Sequence, residues 1–191
     1  MTADLAIYSK AQQILWTDPP SLIGKVTMRL GAMHLNMAFI AAIGKLFSDG
    51  GLMDILTSSA VFAVSSAVQM LQGKHYARAV RGLKIAYEAM MHFFLSAAET
   101  YASENNLPWV DDETLHLIAD LDASFQETDA ALVKVKCTEI AKRLSAMSHT
   151  LAKFKKEGRG QSSTFAYWDS FLEAVSVLLR LIRADKGRQR G

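Results

Sequence analysis

Apolar residues recur every three or four positions along most of this chain and alternate strictly in only one place. Tyr76, Val80, Leu83, Tyr87, Met90, Phe94, Ala97 and Tyr101 form one long stripe. Val133, Cys137, Ile140, Leu144, Met147, Leu151 and Phe154 form a second, and Phe165, Trp168, Leu172, Val175, Leu179 and Ile182 a third. That spacing lines each set along one side of a helix. Leu5, Tyr8, Gln12 and Leu15 do the same over 5–16, and Asp18-Pro19-Pro20 stops them, because proline lacks an N–H and restricts the residue before it. After Gly31, the positions Met33, Met37, Ile40, Gly44 and Phe47 predict a helix enclosed on most sides, ended by Ser48-Asp49-Gly50-Gly51. A short helix over 52–56 follows. Thr57, Ser58 or Ser59 caps another that runs to Gln72, with Gly73 as its stop signal. Asp111 and Asp112 suit the start of a further helix carried by Leu115, Ile118, Leu121 and Phe125, with a break near 127–129. The run GRGQSS at 158–163 reads as the clearest loop.

The alternating exception is 25–30. Val26, Met28 and Leu30 point one way, and Lys25, Thr27 and Arg29 the other, which is the period of a strand with one buried side. Few other residues offer a strand to pair with it, and one strand cannot satisfy its own ladder. The expected fold is mainly α: a helical bundle of about five or six helices with a short N-terminal βα remnant. The expected division is 1–51 as the strand–helix remnant, 52–185 as the bundle and 186–191 as a basic flexible tail. The lone strand also predicts that the chain is a piece of something larger.

Composition narrows the classes. Half of the 191 residues are hydrophobic, enough for a substantial core. The most apolar stretches, 30–47 and 52–71, are interrupted by His34, Asn36, Lys45 and Asp54, so they read as core helices and not membrane spans. The first residues, MTADLAIYSKAQQ, are largely polar, so a secretory signal is not expected. Cys137 is the only cysteine, which excludes an internal disulfide and a thiolate metal cluster; on its apolar stripe it is expected to be packed. An intracellular location fits these features.

Net charge is +2, but its distribution is uneven. Residues 1–84 carry eight Lys/Arg and four Asp/Glu; 85–133 carry ten acids and no Lys or Arg; 134–191 carry thirteen Lys/Arg and five acids. Either the acidic helices pair with the basic ones inside the fold, or a basic surface faces nucleic acid. For the second reading, Lys74, Arg78 and Arg81 lie along one side of 73–84 with Lys84 beside them, opposite Tyr76, Val80 and Leu83. Such a row can neutralise several phosphates. Arg180, Arg183, Arg188 and Arg190 add a non-specific contribution of the same kind.

Motifs of catalysis are lacking: there is no HExxH, GxSxG, Walker or GxGxxG pattern. Two residues remain as catalytic candidates. His34 sits in the first turn of a helix after a strand, where it either packs against backbone or helps hold a phosphate or a metal. Asp4 is either a helix cap or a metal carboxylate.

The segments DLAIY at 4–8, WTDP at 16–19, MRLGAMH at 28–34, IG at 43–44, GGL at 50–52, MLQGK at 70–74 and RAVR at 78–81 resemble a large group of uncharacterised, transposon-derived proteins. These are repeated many times in invertebrate and fish genomes. The likeness is strongest over 4–84 and continues more loosely to the end. A more distant similarity is to transposases with a ribonuclease H-like core, whose strand–His–helix segment resembles 28–45. That resemblance implies a nuclear location, a divalent metal such as magnesium, Asp4 as a metal ligand and His34 as its neighbour. The chain lacks the other strands and acids of that pattern, so the resemblance implies a catalytically dead fragment.

Three functions follow as expectations. The first is a non-catalytic, transposon-derived module that binds a partner protein or a nucleic-acid backbone; its partner protein includes the missing remainder of the parent. The second is an incomplete metal-dependent phosphodiester-processing enzyme. The third is a structural helical protein with no nucleic-acid role. A membrane partner is not expected.

Overall fold

The computed structural model describes residues 2–17, 25, 27–59, 61–124 and 130–188. The mainly α class holds. Eight helices lie among the described residues: α1 (Leu5–Thr17), α2 (Ala32–Phe47), α3 (Met53–Ser58), α4 (Val64–Leu71), α5 (Tyr76–Glu104), α6 (Asp112–Ser124), α7 (Ala130–Gln161) and α8 (Ser163–Arg188). Two short strands, β1 (Thr2–Ala3) and β2 (Arg29–Leu30), pair in parallel, Thr2 with Arg29 and Ala3 with Leu30.

That pairing corrects the reading of 25–30 as an unpartnered strand. Thr27 and Arg29 are exposed while Met28 and Leu30 are half-buried, so the alternation is real. Val26 lies outside the described residues, as do Pro19, Pro20, Phe125 and 127–129. A two-residue strand has no period of its own to announce it, which is why Thr2–Ala3 escaped notice. The inference of a severed piece loses the support it drew from a lone strand.

The chain divides into two compact units, one of 1–89 with 170–191 and the other of 90–169. The divisions fall inside α5 and α8. The first unit is built around α2. Its buried side is Asn36, Ile40, Ile43, Gly44 and Phe47. Met33, Leu35 and Leu46 are exposed, so α2 buries one side only and is not enclosed on most sides. Gly44 has no Cβ because the Leu71 backbone occupies that space, and this brings α4 directly onto α2. Phe47 meets Phe171 of α8 edge-on, ring centroids 5.4 Å apart. Ile40, Leu52, Leu56, Met70, Leu83, Val175 and Leu178 are fully or almost fully buried around them. After α2 the chain makes a wide turn at Ser48–Leu52, which Gly51 permits by taking φ 106°, a region that strains other residues.

Thr57 and Ser59 do not cap α4. Their hydroxyls donate back to Met53 O and Ile55 O at the end of α3, and α4 begins only after Ala63. β-Hydroxyl side chains serve either end of a helix, and here the backward bond wins.

The second unit holds an aromatic cluster. Phe94, Phe154 and Phe165 stack with centroids 5.2–5.9 Å apart, and Tyr101 joins Phe154 at 5.4 Å. The expected loop at 158–163 is almost wholly helical: α7 runs to Gln161, and Ser162 alone separates it from α8. Ser162 Oγ accepts the Phe165 N–H at 3.2 Å as the cap of α8. Gly158 is there for space, since a Cβ would lie 2.7 Å from the Phe165 ring. Asp169 is buried and receives Lys155 Nζ at 2.8 Å and Arg159 Nε, which tie the hairpin of α7 and α8 together. Cys137 is exposed, contrary to expectation. The inward positions of α7 are Ile140, Arg143, Met147, Thr150 and Phe154, so two satisfied polar residues occupy the stripe and displace it from Cys137.

Candidate functional site

The basic row is set in place by the end of α4. The Lys74 N–H donates to Gln69 O at 3.0 Å and the Gly73 N–H to Met70 O at 3.0 Å, the paired bonds of a Schellman turn. Gly73 supplies the required left-handed residue at φ 78°, and a Cβ there would lie 2.5 Å from Met37 O. His75 also takes a positive φ, 54°, with its Nε2 2.7 Å from Gln69 Oε1. The Arg78 and Ala79 N–H groups then donate to His75 O, and α5 is under way.

This reversal leaves Lys74, Arg78, Arg81 and Lys84 exposed at the start of α5, while Ala79, Leu83 and Ala86 are buried and Tyr76 and Val80 half-buried. Arg78 Nη1 donates to Ser66 Oγ at 3.4 Å, and Lys84 Nζ lies 3.4 Å from Glu88 Oε1. Lys74, Arg78 and Arg81 pair with no carboxylate among the described residues. Arg78 and Arg81 border a groove of about 400 Å³ whose other walls are Val61, Phe62, Ala77 and Ile85. Sequence reasoning missed this groove because it assigned 61–64 to a helix interior. The signal was the adjacent apolar pair Val61-Phe62 just before α4, of which Val61 is exposed and Phe62 half-buried.

Arg180 and Arg183 are exposed on α8, and Arg180 Nη2 donates to Ser176 Oγ at 3.2 Å. Arg188 falls in the last turn of α8, and Arg190 lies outside the described residues. By sequence count, the unit of 1–89 and 170–191 holds thirteen Lys/Arg against seven Asp/Glu, a net of +6. The unit of 90–169 holds eight against twelve, a net of −4. The two basic ends of the sequence thus share one unit.

Asp4 is a cap. Its Oδ1 accepts the Ile7 N–H at 2.9 Å and its carbonyl accepts the Tyr8 N–H at 2.8 Å, so the carboxylate serves the N-terminus of α1. His34 is half-buried in the first turn of α2. Among the described residues, no group of three or more His, Cys, Asp or Glu lies close enough to hold a metal ion. No helix among them is long and apolar enough to cross a membrane.

The acidic unit uses its charges locally. Asp111 Oδ1 caps α6 by accepting the Thr114 N–H at 2.8 Å and the Thr114 hydroxyl at 2.5 Å. Arg143 of α7 reaches Glu113 at 3.0 Å, Glu139 at 2.9 Å and Asp111 at 3.5 Å. The hydrogen bonds from Thr114, helped by the charge on Arg143, hold the Asp111 carboxyl below its usual range. The hydrogen bond and charge of Arg143 do the same for Glu113. Part of the acidic segment is therefore balanced inside the fold, as the pairing alternative expects, but within its own unit.

A family model described as a domain of unknown function (DUF8702) matches residues 1–189. The chain belongs to the DUF8702 family. The match runs through both units, so the family's sequence pattern covers the basic row of α5, the groove beside it and the hairpin of α7 and α8 alike. No curated protein and no solved structure matches the chain.

Proposed function

We propose that the chain is a non-catalytic helical module that binds the phosphate backbone of nucleic acid through the basic side of its first unit. The observation that carries this reading is the separation of charge. One unit gathers both basic ends of the sequence, and four of its cations stand exposed within about three turns at the start of one helix. Counterion release makes such a row favourable on a polyanion, without sequence preference. The capping role of Asp4 supports the binding module over the metal-dependent alternative. The resemblance to transposon-derived proteins supports an intracellular setting and an origin in mobile elements for this DUF8702 member.

Fluorescence anisotropy with a labelled oligonucleotide tests the reading. Affinity is expected to fall steeply between about 50 and about 200 mM salt, with a log–log slope of about −2 to −4 for three or four phosphates. The double reversal Arg78→Glu and Arg81→Glu is expected to reduce affinity at least about tenfold and flatten the slope by about 2. The same change of charge at Lys153 and Lys156 of the other unit should leave binding intact. Affinity indifferent to salt, or equal losses from the two double variants, would overturn the reading.

A further inference from the structure

We propose that the groove beside the basic row receives an unstacked base, so that the site prefers single-stranded to double-stranded nucleic acid. The inference rests on the backbone-binding reading above and adds to it the class of nucleic acid. The groove's volume, about 400 Å³, leaves room for a planar heterocycle. Its walls are of two kinds. Val61 is 39% exposed and Ile85 36%, so aliphatic surface faces water, and Phe62 contributes an aromatic ring. Arg78 and Arg81 supply the rest, about one helical turn apart.

The walls are held firmly. The Phe62 N–H donates to Leu56 O at 3.1 Å, which fixes the segment before α4. The Phe62 ring lies against Gly82 of α5, where a Cβ would come within 2.8 Å of Phe62 Cε2. Arg78 is tethered to Ser66 of α4 across the same corner. The ring and one guanidinium are therefore positioned before any ligand arrives, with Arg81, Val61 and Ile85 completing the lining.

A duplex has no use for such a groove. It offers phosphates outside and keeps its base faces stacked within, so docking would satisfy the arginines and leave the apolar walls without a partner. An unpaired strand presents the face of each base. A base seated here would stack on Phe62 or on a guanidinium, cover Val61 and Ile85, and leave its flanking phosphates to Arg81, Lys74 and Lys84. Arginine serves both contacts, as its planar group stacks and forks at once. The selection would be for exposed bases in general, because every base has a π face.

Anisotropy on the full chain separates the terms with three labelled probes of about 12 residues: oligothymidylate, an abasic strand with the same backbone, and a blunt duplex. Oligothymidylate is expected to bind roughly tenfold tighter than the other two at equal salt. Phe62→Leu should bring its affinity down to that of the abasic strand while the salt dependence stays the same. Ile85→Ser, at a partly exposed position, provides the same readout with less risk to folding; circular dichroism confirms that each variant keeps its helices. Equal affinity for all three probes, or a full preference retained in both variants, overturns the base-receiving groove and leaves backbone binding standing. Binding to none of the probes at low salt overturns both.

Discussion

Single positions in this chain are constrained more by space than by chemistry. Gly44 is the sharpest case: a methyl group there would collide with the Leu71 backbone, which has no rotamer by which to yield. Gly44→Ala is therefore expected to force α2 and α4 apart and cost about 1–3 kcal/mol, read as a lower urea midpoint. Gly160 provides the contrast, since nothing lies within 4 Å of its missing Cβ. Gly160→Ala should be neutral or stabilise by up to about 1 kcal/mol, because alanine loses less backbone entropy in a helix. If both substitutions destabilise equally, the space argument for Gly44 is wrong. Asp169 is the chemical exception. It is buried between Lys155 and Arg159, and removing one partner of such a pair leaves the rest uncompensated. Asp169→Ala is expected to cost about 1.5–3 kcal/mol by the same measurement, since the two cations left behind are partly exposed and regain some hydration, and a loss under about 0.5 kcal/mol would show that solvent already satisfies them.

At the level of elements, the sequence made most helices legible and misplaced several of their sides. α5 and α8 largely follow their apolar stripes, because little but apolar surface decides their orientation, whereas α1 buries none of its residues and Leu5 of its stripe is exposed. α6 and α7 do not follow theirs. Leu115 is 56% exposed while Thr114 is buried, because Thr114 bonds to Asp111 and α6 turns toward Arg143. No hydropathy pattern encodes a polar contact between two helices, and the same contact displaced Cys137 from the expected interior. Glycine and serine at 158–163 mimic a loop, yet Gly158 is small to admit Phe165 and Ser162 is a cap. The basic row was visible as a motif; the groove beside it was not, since Phe62 meets Gly82 only through the folded turn between α3 and α4. The polar joint of α6 predicts a pH response whose sign is fixed. The carboxyls of Asp111 and Glu113 are lowered in the folded state, so their contribution is fully present above their unfolded values of about 3.9 and 4.3 and is lost as pH falls through the lower folded values. Amides of α6 should therefore lose hydrogen-exchange protection as pH falls below about 4, after correction for intrinsic rates. Arg143→Met should shrink that step by removing the Glu113 part, while the Thr114 hydrogen bonds keep the Asp111 part; an unchanged profile in the variant would mean that Arg143 does not contribute to it.

Across the whole molecule the folding of the chain sorts charge. A sequence that reads basic, acidic, basic becomes one unit of net +6 and one of net −4. Opposite charges placed at random along a chain tend to neutralise each other locally, and Arg143 with its three carboxylates does so in the acidic unit. A net charge of +6 within one unit brings self-repulsion, which a polyanion would relieve. A ligand that binds only the native state stabilises it by about 2.7 kcal/mol at one hundred times its dissociation constant. Inorganic polyphosphate, which has no bases, should therefore raise the melting temperature of the chain at low salt by several degrees, given about 2–4 °C per kcal/mol at this size. Its effect on hydrogen exchange should fall on α4 and the first half of α5 and leave α6 and α7 unchanged. At about 1 M salt the gain should vanish, because the screening length then shrinks to about 3 Å. A shift that survives high salt, or protection spread evenly over both units, would mean that the excess charge of the first unit is not where a polyanion binds.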